Sequence, residues 1–479
     1  MQAARASIAP MSFDSAVIAV PLLGALAACA MAMPLFGFTQ EPAPALAAAF
    51  IGAALCFMVQ EVLRRGPTSI AVLFVAGLAY YHIVIPAEYL INPSLPSEIV
   101  YYYPSLNRQT MVGPLLATDL ALAGFLVGYA LRRPRPAARP AGSDALDEFF
   151  DEKRALIGCA ALFAIGLLLY LTMSYVATGS FIKIFSTTYR ERDELFYGLG
   201  ALGFGASVAT VGLACASVIL LKRGGLTRTL VVIGLMAIMV LYSFLIGSKS
   251  PAFYAATGTL VGTYVAGRRL PLSTLLSLGL LLLVPLSFVN LARNKQGEGF
   301  AEMASYVRQE AEPEQFNPAN NDAPGPYLTL IETVSTLRVP EQLRYGSTYL
   351  KMVTLVPPRF LNLPRSEPID EEFSKKFLGK DYYDNAGFAF SGVAEAYLNF
   401  GYPGVFLIFV LFGLGFAVLR DKLDRAMGTL PAGLIVAASA SHIFLALRNA
   451  SPFLTKSYLV ITLIPVLLVI RYARRRAPA

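Results

Sequence analysis

The sequence predicts an all-α polytopic membrane protein, and three features of its composition and patterning support that fold class. Of its 479 residues, 56% are hydrophobic and only 15% are charged. The mean hydropathy is +0.58, a value that a soluble domain with a charged surface does not sustain. Apolar runs long enough to cross a hydrocarbon core of about 30 Å recur along the chain, and they predict about twelve transmembrane helices.

These apolar runs divide the chain into five parts. Residues 1–131 hold four predicted spans, residues 132–154 form a Pro-rich charged linker, and residues 155–292 hold five more spans. Residues 293–390 form a large loop, and residues 391–479 hold the last three spans. The predicted spans cover residues 15–37, 44–63, 68–91, 111–131, 155–178, 198–221, 227–247, 251–267, 272–292, 400–419, 429–447 and 455–471.

Lys and Arg are distributed unequally between the two sets of loops. One set of short loops, together with both termini, contains 21 Lys and Arg residues, whereas the opposite short loops contain seven. Because positively charged loops stay in the cytoplasm, the side with more cations is predicted to be cytoplasmic. Both termini then lie inside the cell, and the loop at residues 293–390 lies outside. The same asymmetry explains the net charge of +8 without a nucleic-acid partner.

The large loop sorts its charges along the chain. Residues 294–389 contain ten Lys or Arg and fourteen Asp or Glu, so the loop as a whole is acidic. Apolar residues at helical spacing predict an amphipathic helix over residues 327–338, lying against the membrane domain. Residues 338–365 form a local basic stretch in which Glu341 is the only carboxylate. Its cations are Arg338, Arg344, Lys351, Arg359 and Arg365.

Cations on the predicted outer side are candidates for binding a phosphorylated substrate. The planar guanidinium of arginine matches the oxygens of a phosphate group in a bidentate manner. Each such residue could equally be a solvated or snorkelling loop charge. Outside the basic stretch these candidates come from different loops, and they are Arg190, Lys249, Arg293 and Arg448.

A carboxylate follows the basic stretch. Glu395 stands in the motif GVAEAYLNFGYPGV, just before a Gly and Pro interruption and the tenth predicted span. It could accept a proton from a sugar hydroxyl, or it could complement the dipole at the start of a helix. Tyr397 and Asn399 could form hydrogen bonds to sugars, or they could pack at the membrane interface.

Two ionisable side chains lie inside predicted spans, Asp119 in the fourth and His442 in the eleventh. An intramembrane ionisable group is a functional candidate by default. For Asp119 a structural hydrogen bond to a neighbouring helix is at least as good an explanation. For His442 the pattern favours a buried histidine whose ring nitrogens are satisfied.

Several kinds of chemistry lack the motifs that they require. The chain has no Walker A sequence, no dinucleotide-binding fingerprint and no HExxH zinc motif, so nucleotide chemistry has no anchor. It contains two histidines, and its cysteines lie in apolar stretches without paired spacing, so neither a metal site nor a disulfide framework is indicated. We expect no metal and no cofactor. The cysteines are Cys29, Cys56, Cys159 and Cys215.

Four motifs together resemble the Wzy-type O-antigen or exopolysaccharide repeat-unit polymerases, also called oligosaccharide repeat unit polymerases. They are YR at 189–190, GSKSP at 247–251, LVPPRFLNLPRSEP at 355–368 and GVAEAYLNFGYPGV at 392–405. The resemblance implies a GT-C-like fold in the bacterial inner membrane. It also implies transfer of a growing glycan from undecaprenyl diphosphate to an undecaprenyl-diphosphate-linked repeat unit at the periplasmic face.

The resemblance also implies roles for individual residues. Glu395 would orient or deprotonate the acceptor hydroxyl, and Arg359 would act with it at the reacting centre. The donor or acceptor diphosphates would be bound by Arg190, Lys249, Arg338 and Arg344, a set to which we add Arg365, Arg293 and Arg448. Relatives often have arginine where this chain has Lys249, which offers a point charge instead of a fork. Beyond the lipid-linked donor and acceptor, membrane lipids, a chain-length regulator and a flippase are the expected partners.

Two other functions fit the same sequence features. An O-antigen ligase shares the donor, the fold and the large outer loop, but it transfers the finished glycan to lipid A-core. A transporter or flippase of lipid-linked glycan also has a helix count of about twelve, but it should place several charged residues within its spans. In this chain Asp119 is nearly alone there, so the sequence favours the polymerase.

Overall fold

The computed structural model describes residues 14–36, 42–66, 69–91, 107–132, 150–181, 204–268, 324–337, 340–355, 366–377 and 389–474, with short gaps or isolated residues between and within some of these ranges. Within the described residues every regular element is helical, and one isolated bridge joins Phe150 to Arg474. The chain is an all-α polytopic membrane protein, as its composition predicts.

The helices follow the apolar runs of the sequence. In chain order they are α1 (Ala16–Phe36), α2 (Ala43–Arg65), α3 (Ile70–His82), α4 (Val84–Ile91), α5 (Arg108–Ala130), α6 (Glu152–Thr178), α7 (Gly205–Arg223), α8 (Leu226–Leu245), α9 (Ser250–Val265), α10 (Pro324–Thr336), a 3-10 turn (Pro340–Gln342), α11 (Ser347–Leu350), α12 (Met352–Leu355), α13 (Ile369–Phe377), α14 (Gly392–Ala426), α15 (Leu430–Arg448), α16 (Ser451–Lys456), a π-helix (Ser457–Leu463) and α17 (Ile464–Ala473).

Described helices lie at every predicted span except the ninth, residues 272–292, of which the structure describes only Val289. Among the described helices, eight are long and apolar enough to cross a membrane, or nine if α3 and α4, bent by 47°, form one span. The count of about twelve and the GT-C-like architecture stay predictions. The predicted amphipathic helix is present as α10, which begins at Pro324 and buries Leu328 and Ile331.

The helices fall into two compact units that interleave along the chain. The first unit comprises Met1–Ala138, Leu330–Gly346 and Val393–Arg425. The second unit comprises Arg139–Thr329, Ser347–Gly392 and Ala426–Ala479.

Glycines allow close packing of α5 against α14 in the first unit. A Cβ atom added at Gly128 would lie 2.0 Å from the carbonyl oxygen of Val410. A Cβ atom added at Gly413 would lie 2.1 Å from the carbonyl oxygen of Phe125. Small residues let two membrane helices approach with their backbones almost in contact, which is the usual way to gain packing energy in lipid.

The second unit uses the same device where α9 packs against α15. A Cβ atom at Gly258 would lie 2.2 Å from the carbonyl oxygen of Ala437, and one at Gly262 would lie 2.7 Å from that of Gly433. The contacts run in opposite chain directions, so the two helices are antiparallel. The start of α9 and the end of α15 therefore lie at the same end of this unit.

Basic residues that the sequence assigns to the cytoplasmic side gather at one end of each unit. In both units they pair with carboxylates that lie near helix ends. The pairs are Arg64–Asp14 at 3.2 Å and Arg132–Asp421 at 2.5 Å in the first unit, and Arg223–Glu152 in the second.

Candidate functional site

The helix α14 is broken at Gly401, near its start. Gly401 has φ 65° and ψ −160°, whereas the residues on both sides are helical. A Cβ atom there would lie 3.9 Å from Cδ of Pro403, so space does not exclude a side chain. The backbone conformation of Gly401 excludes other residues, because only glycine adopts these φ and ψ angles without strain. The break separates a short segment, residues 392–400, from a long one, residues 402–426.

A distant part of the first unit closes the end of the short segment. The backbone N–H of Arg344 donates to the carbonyl oxygen of Leu398 at 3.0 Å. The backbone N–H of Tyr345 donates to the carbonyl oxygen of Asn399 at 3.0 Å. The last carbonyls of a helix have no partner within the helix. Residues 344–346, which we call the capping segment, supply the missing donors.

The side chain of Asn399 joins the capping segment to the short helical segment. Its Oδ1 accepts from the N–H of Gly346 at 2.9 Å, and its Nδ2 donates to the carbonyl oxygen of Glu395 at 2.7 Å. Asn399 is fully buried. Both ends of its amide therefore serve the local backbone, which makes Asn399 a residue that holds the broken helix in shape.

The carboxylate of Glu395 and a pair of tyrosines lie on the same helix. Glu395 stands in the first turn of α14 and is 2% exposed. The rings of Tyr397 and Tyr402 meet edge to face at 4.9 Å, and their hydroxyls are hydrogen-bonded. A Cβ atom at Gly113 would lie 2.7 Å from Cγ1 of Val334 and 3.0 Å from the Tyr402 hydroxyl. Helices α5, α10 and α14 thus meet beside the break.

The second unit brings two predicted phosphate-binding cations to one end. Lys249 directly precedes α9, and Arg448 is the last residue of α15. Between them, the rings of Phe253 and Phe444 meet at 5.1 Å. Both cations are partly buried. A lysine at the start of a helix adds its charge to the positive end of the dipole, which favours an anion there.

Described residues on either side of the segment that contains Arg359 and Arg365 contact each other within the second unit. The ammonium of Lys351 pairs with Glu372 at 2.9 Å, and the hydroxyls of Thr354 and Ser366 are 3.0 Å apart. Lys351 therefore links two parts of the chain, and its charge is offset by a carboxylate. Burial raises the pKa of Asp370 in the adjoining helix α13.

The predicted site residues thus divide into three groups. Arg344, Glu395, Tyr397 and Asn399 lie around the broken helix in the first unit, and Lys249 and Arg448 share an end of the second. The remaining cations fall outside the described residues, and they are Arg190, Arg293, Arg338, Arg359 and Arg365.

His442 lies in a buried polar cluster of the second unit. Its Nε2 is 3.2 Å from the hydroxyl of Ser457 and 3.3 Å from that of Thr462. These hydroxyls belong to the π-helix, whose wider turn brings residues five positions apart to nearly the same side. His442 is therefore a buried histidine with polar partners, which is the interpretation that its sequence context favours. Asp119 is partly buried on α5.

Sequence reasoning missed the interactions that shape this region. The Gly and Pro interruption at residues 401–403 signals a break, but not its geometry. Nothing local marks Tyr345 except the glycine that follows it. At the opposite end of α14, the buried Arg420 pairs with Asp421 and lies 4.6 Å over the ring of Tyr129, and no pattern in the sequence indicates those partners.

Residues 334–476 match the family model described as O-antigen polysaccharide polymerase Wzy. The matched segment includes the capping segment, the broken helix and all of α15 to α17. This confirms the family resemblance inferred from the sequence motifs. No curated protein and no solved structure matches the chain.

Proposed function

We propose that this membrane protein is a glycosyltransferase that polymerises undecaprenyl-diphosphate-linked oligosaccharide repeat units at the periplasmic face of the inner membrane. One observation carries the proposal: the segment similar to the Wzy polymerases contains the broken helix and the capping segment that completes it. The charge bias of the loops supports the periplasmic assignment, because the capping segment lies opposite the end at which Arg132 and Arg420 gather.

The reaction needs a nucleophile, a base and a leaving group. The oxygen of an acceptor sugar hydroxyl bonds to the anomeric carbon of the donor glycan, and the bond from that carbon to the diphosphate oxygen breaks. We assign the hydroxyl proton to the carboxylate of Glu395. The undecaprenyl diphosphate leaves with the bonding electron pair and gains negative charge.

Cations offset the charge that builds on the diphosphate. Fixed positive groups aimed at developing charge in a water-poor site are a large source of catalysis. We assign this role to Arg344, which lies in the same unit as Glu395. Lys249, Arg448, Arg359 and the other outer arginines stay candidates predicted from the sequence. Arg344 is exposed, and its backbone is fixed by the hydrogen bond to α14, so its guanidinium extends from a rigid support.

Tyr397 and Asn399 take different roles in this proposal. The Asn399 amide is occupied by Gly346 and Glu395, so we assign it to positioning the base and not to direct contact with a sugar. Tyr397 is 8% exposed and shares a hydrogen bond with Tyr402, which leaves it suited to meet one sugar hydroxyl at most.

Substitution of Glu395 tests the proposal. In cells that lack the chromosomal gene, Glu395→Gln should lower polymer formation by about 10²-fold or more, the usual contribution of a positioned base. The measurement is the ladder of glycan chain lengths on a gel, normalised to the amount of protein in the membrane. Glu341→Gln is the matched control, because Glu341 is an exposed carboxylate in the same family-matched segment.

The glycan that accumulates separates the three candidate functions. Loss of a polymerase leaves single repeat units on the final acceptor, whereas loss of a ligase leaves polymer on undecaprenyl diphosphate. In liposomes, purified lipid-linked repeat units should be converted into a ladder. Glycan that crosses the bilayer without elongation would instead identify a transporter, and a normal ladder from Glu395→Gln would remove Glu395 from the mechanism.

A further inference from the structure

Tyr345 has a backbone conformation that a side chain rarely adopts. Its φ is 46°, and it is the one non-glycine residue with positive φ in the part of the chain that the structure describes. A left-handed conformation is unfavourable for residues with a Cβ atom, and tyrosine has no polar group near its backbone to offset the cost. Something other than local preference must keep a tyrosine at this position.

The surrounding structure imposes this conformation. The N–H groups of Tyr345 and Gly346 both bind Asn399, one at its carbonyl oxygen and one at its side chain. A Cβ atom at Gly346 would lie 3.2 Å from the ring of Phe400, so this ring packs directly against the capping segment. A strained residue persists when its neighbours determine its conformation, and such residues concentrate at functional sites.

Most of Tyr345 is exposed. Its exposed fraction is 67%, and the adjacent Arg344 is exposed as well. Burial therefore does not explain why an aromatic residue occupies a strained position. The strain instead fixes the direction in which a flat, rigid ring with a polar tip is presented.

We propose that Tyr345 is a sugar-stacking residue that binds a pyranose ring of the lipid-linked repeat unit. The axial C–H groups of a pyranose form a weakly positive face that fits the negative face of an aromatic ring. Arg344 stands beside it and can donate hydrogen bonds to hydroxyl or acidic groups of the same sugar. The inference rests on the proposed function, because it assigns the substrate of that function to a surface of the first unit.

A fluorescence experiment tests binding without requiring turnover. The chain contains no tryptophan, so Tyr345→Trp creates a protein with a single indole at this position and keeps a flat aromatic ring. The probe is the oligosaccharide released by mild acid from the lipid-linked material of cells that lack the gene. We expect a saturable change in emission as this oligosaccharide is added.

The matched control is Tyr472→Trp, since Tyr472 is also a largely exposed tyrosine, on α17. Its emission should not respond to the oligosaccharide. An unchanged emission from Tyr345→Trp at saturating oligosaccharide, or equal changes in both variants, would overturn the assignment of a sugar to Tyr345.

Turnover measurements separate the ring from the backbone. Tyr345→Asn removes the ring but suits the left-handed conformation, so the protein should remain folded and abundant. We expect it to raise the apparent KM for purified lipid-linked repeat units by about tenfold with little change in kcat, whereas Tyr345→Phe stays within about twofold of wild type.

Different results would overturn the polymerase activity and the sugar-stacking role of Tyr345. If the wild-type protein forms no polymer from lipid-linked repeat units, the proposed function is wrong, and the fluorescence result still reports whether a glycan binds at Tyr345. If the wild type polymerises and Tyr345→Asn has an unchanged KM, only the sugar-stacking role is overturned.

Discussion

The two ends of α14 both bury polar groups, but ion pairs stabilise those at one end and hydrogen bonds stabilise those at the other. At the end that includes Arg420 and Asp421, side chains of opposite charge pair with one another. Asp421 accepts from Arg132 at 2.5 Å and from Arg420 at 3.0 Å, and both members of the Arg420–Asp421 pair are about 4% exposed. At the end that includes Glu395 and Asn399, polar side chains and backbone groups of the capping segment form hydrogen bonds.

The charged end extends across three helices of the first unit. The Tyr129 hydroxyl donates to Glu61 at 2.7 Å, and Arg65 pairs with Glu61 at 3.2 Å and also with Asp424. Each of these charges faces an opposite one, so the cluster leaves little field to attract a ligand. A paired network of this kind fixes how helices are placed relative to one another.

The broken end has the opposite properties. Its helix is interrupted, its capping residue is strained, and Arg344 and Tyr345 are exposed. Strain and exposed polar groups are features that a purely structural joint does not need. We therefore expect the charged end of α14 to serve stability and the broken end to serve the proposed substrate, and mutations at the two ends should separate these properties.

The largest expected effect is on stability, at the charged end. Asp421→Asn would leave Arg132 and Arg420 without their anionic partner, and breaking a buried ion pair in this way costs about 3–5 kcal/mol. We expect a strong fall in the thermal midpoint of the purified protein, whereas each molecule that remains folded keeps its polymerase activity.

The control is Asp14→Asn, which breaks the more exposed pair with Arg64 and should cost less than about 1 kcal/mol. If Asp421→Asn were no less stable than Asp14→Asn, or if it abolished activity without a loss of stability, the division between the two ends would be wrong.

Asn399→Ala should affect both properties, with the larger consequence for function. It leaves the partly buried N–H of Gly346 without its acceptor, which costs about 1–2 kcal/mol. Because the capping segment and Glu395 then lose their common support, polymer formation per molecule should fall by about tenfold or more. Chain-length ladders normalised to membrane-inserted protein measure this.

A suitable comparison is Asn107→Ala, which removes an exposed helix cap of α5 in the same unit and should cost about 1 kcal/mol. Its activity per molecule should equal that of wild type. Equal activities for the two alanine variants would contradict a positioning role for Asn399.

A smaller stability effect than that of Asp421→Asn is expected at the break itself. Gly401→Ala meets no steric clash, so its cost of about 1–2 kcal/mol comes from the backbone conformation alone. Gly415→Ala lies in the helical part of α14 with open space around an added Cβ, and it should instead stabilise the protein by up to about 1 kcal/mol.

The two substitutions make the same chemical change in one helix, but at backbone conformations that differ. The thermal midpoint should fall for Gly401→Ala and rise for Gly415→Ala. Polymer formation per molecule should fall only for Gly401→Ala. Shifts of the same sign in both variants would show that the break is a flexible feature and not a fixed one.

Most of the described long helices can be predicted from the sequence, because each is a contiguous apolar run. The run at residues 400–419 predicts the long segment of α14, and the spacing of Leu328 and Ile331 predicts α10. The motif GVAEAYLNFGYPGV also directs attention to the right part of the chain. It does not show that the helix begins as early as Gly392 or that Asn399 serves the backbone.

Sequence by itself determined the membrane class and the positions of the described apolar helices. These properties depend on the composition of single segments and on the cost of placing charge in lipid. Only the tertiary structure decided that Gly346 binds Asn399, 53 positions away, and that Arg132 binds Asp421, 289 positions away. Hydrogen bonds and ion pairs require specific atoms to meet, and helix packing, which no local pattern encodes, brings those atoms together.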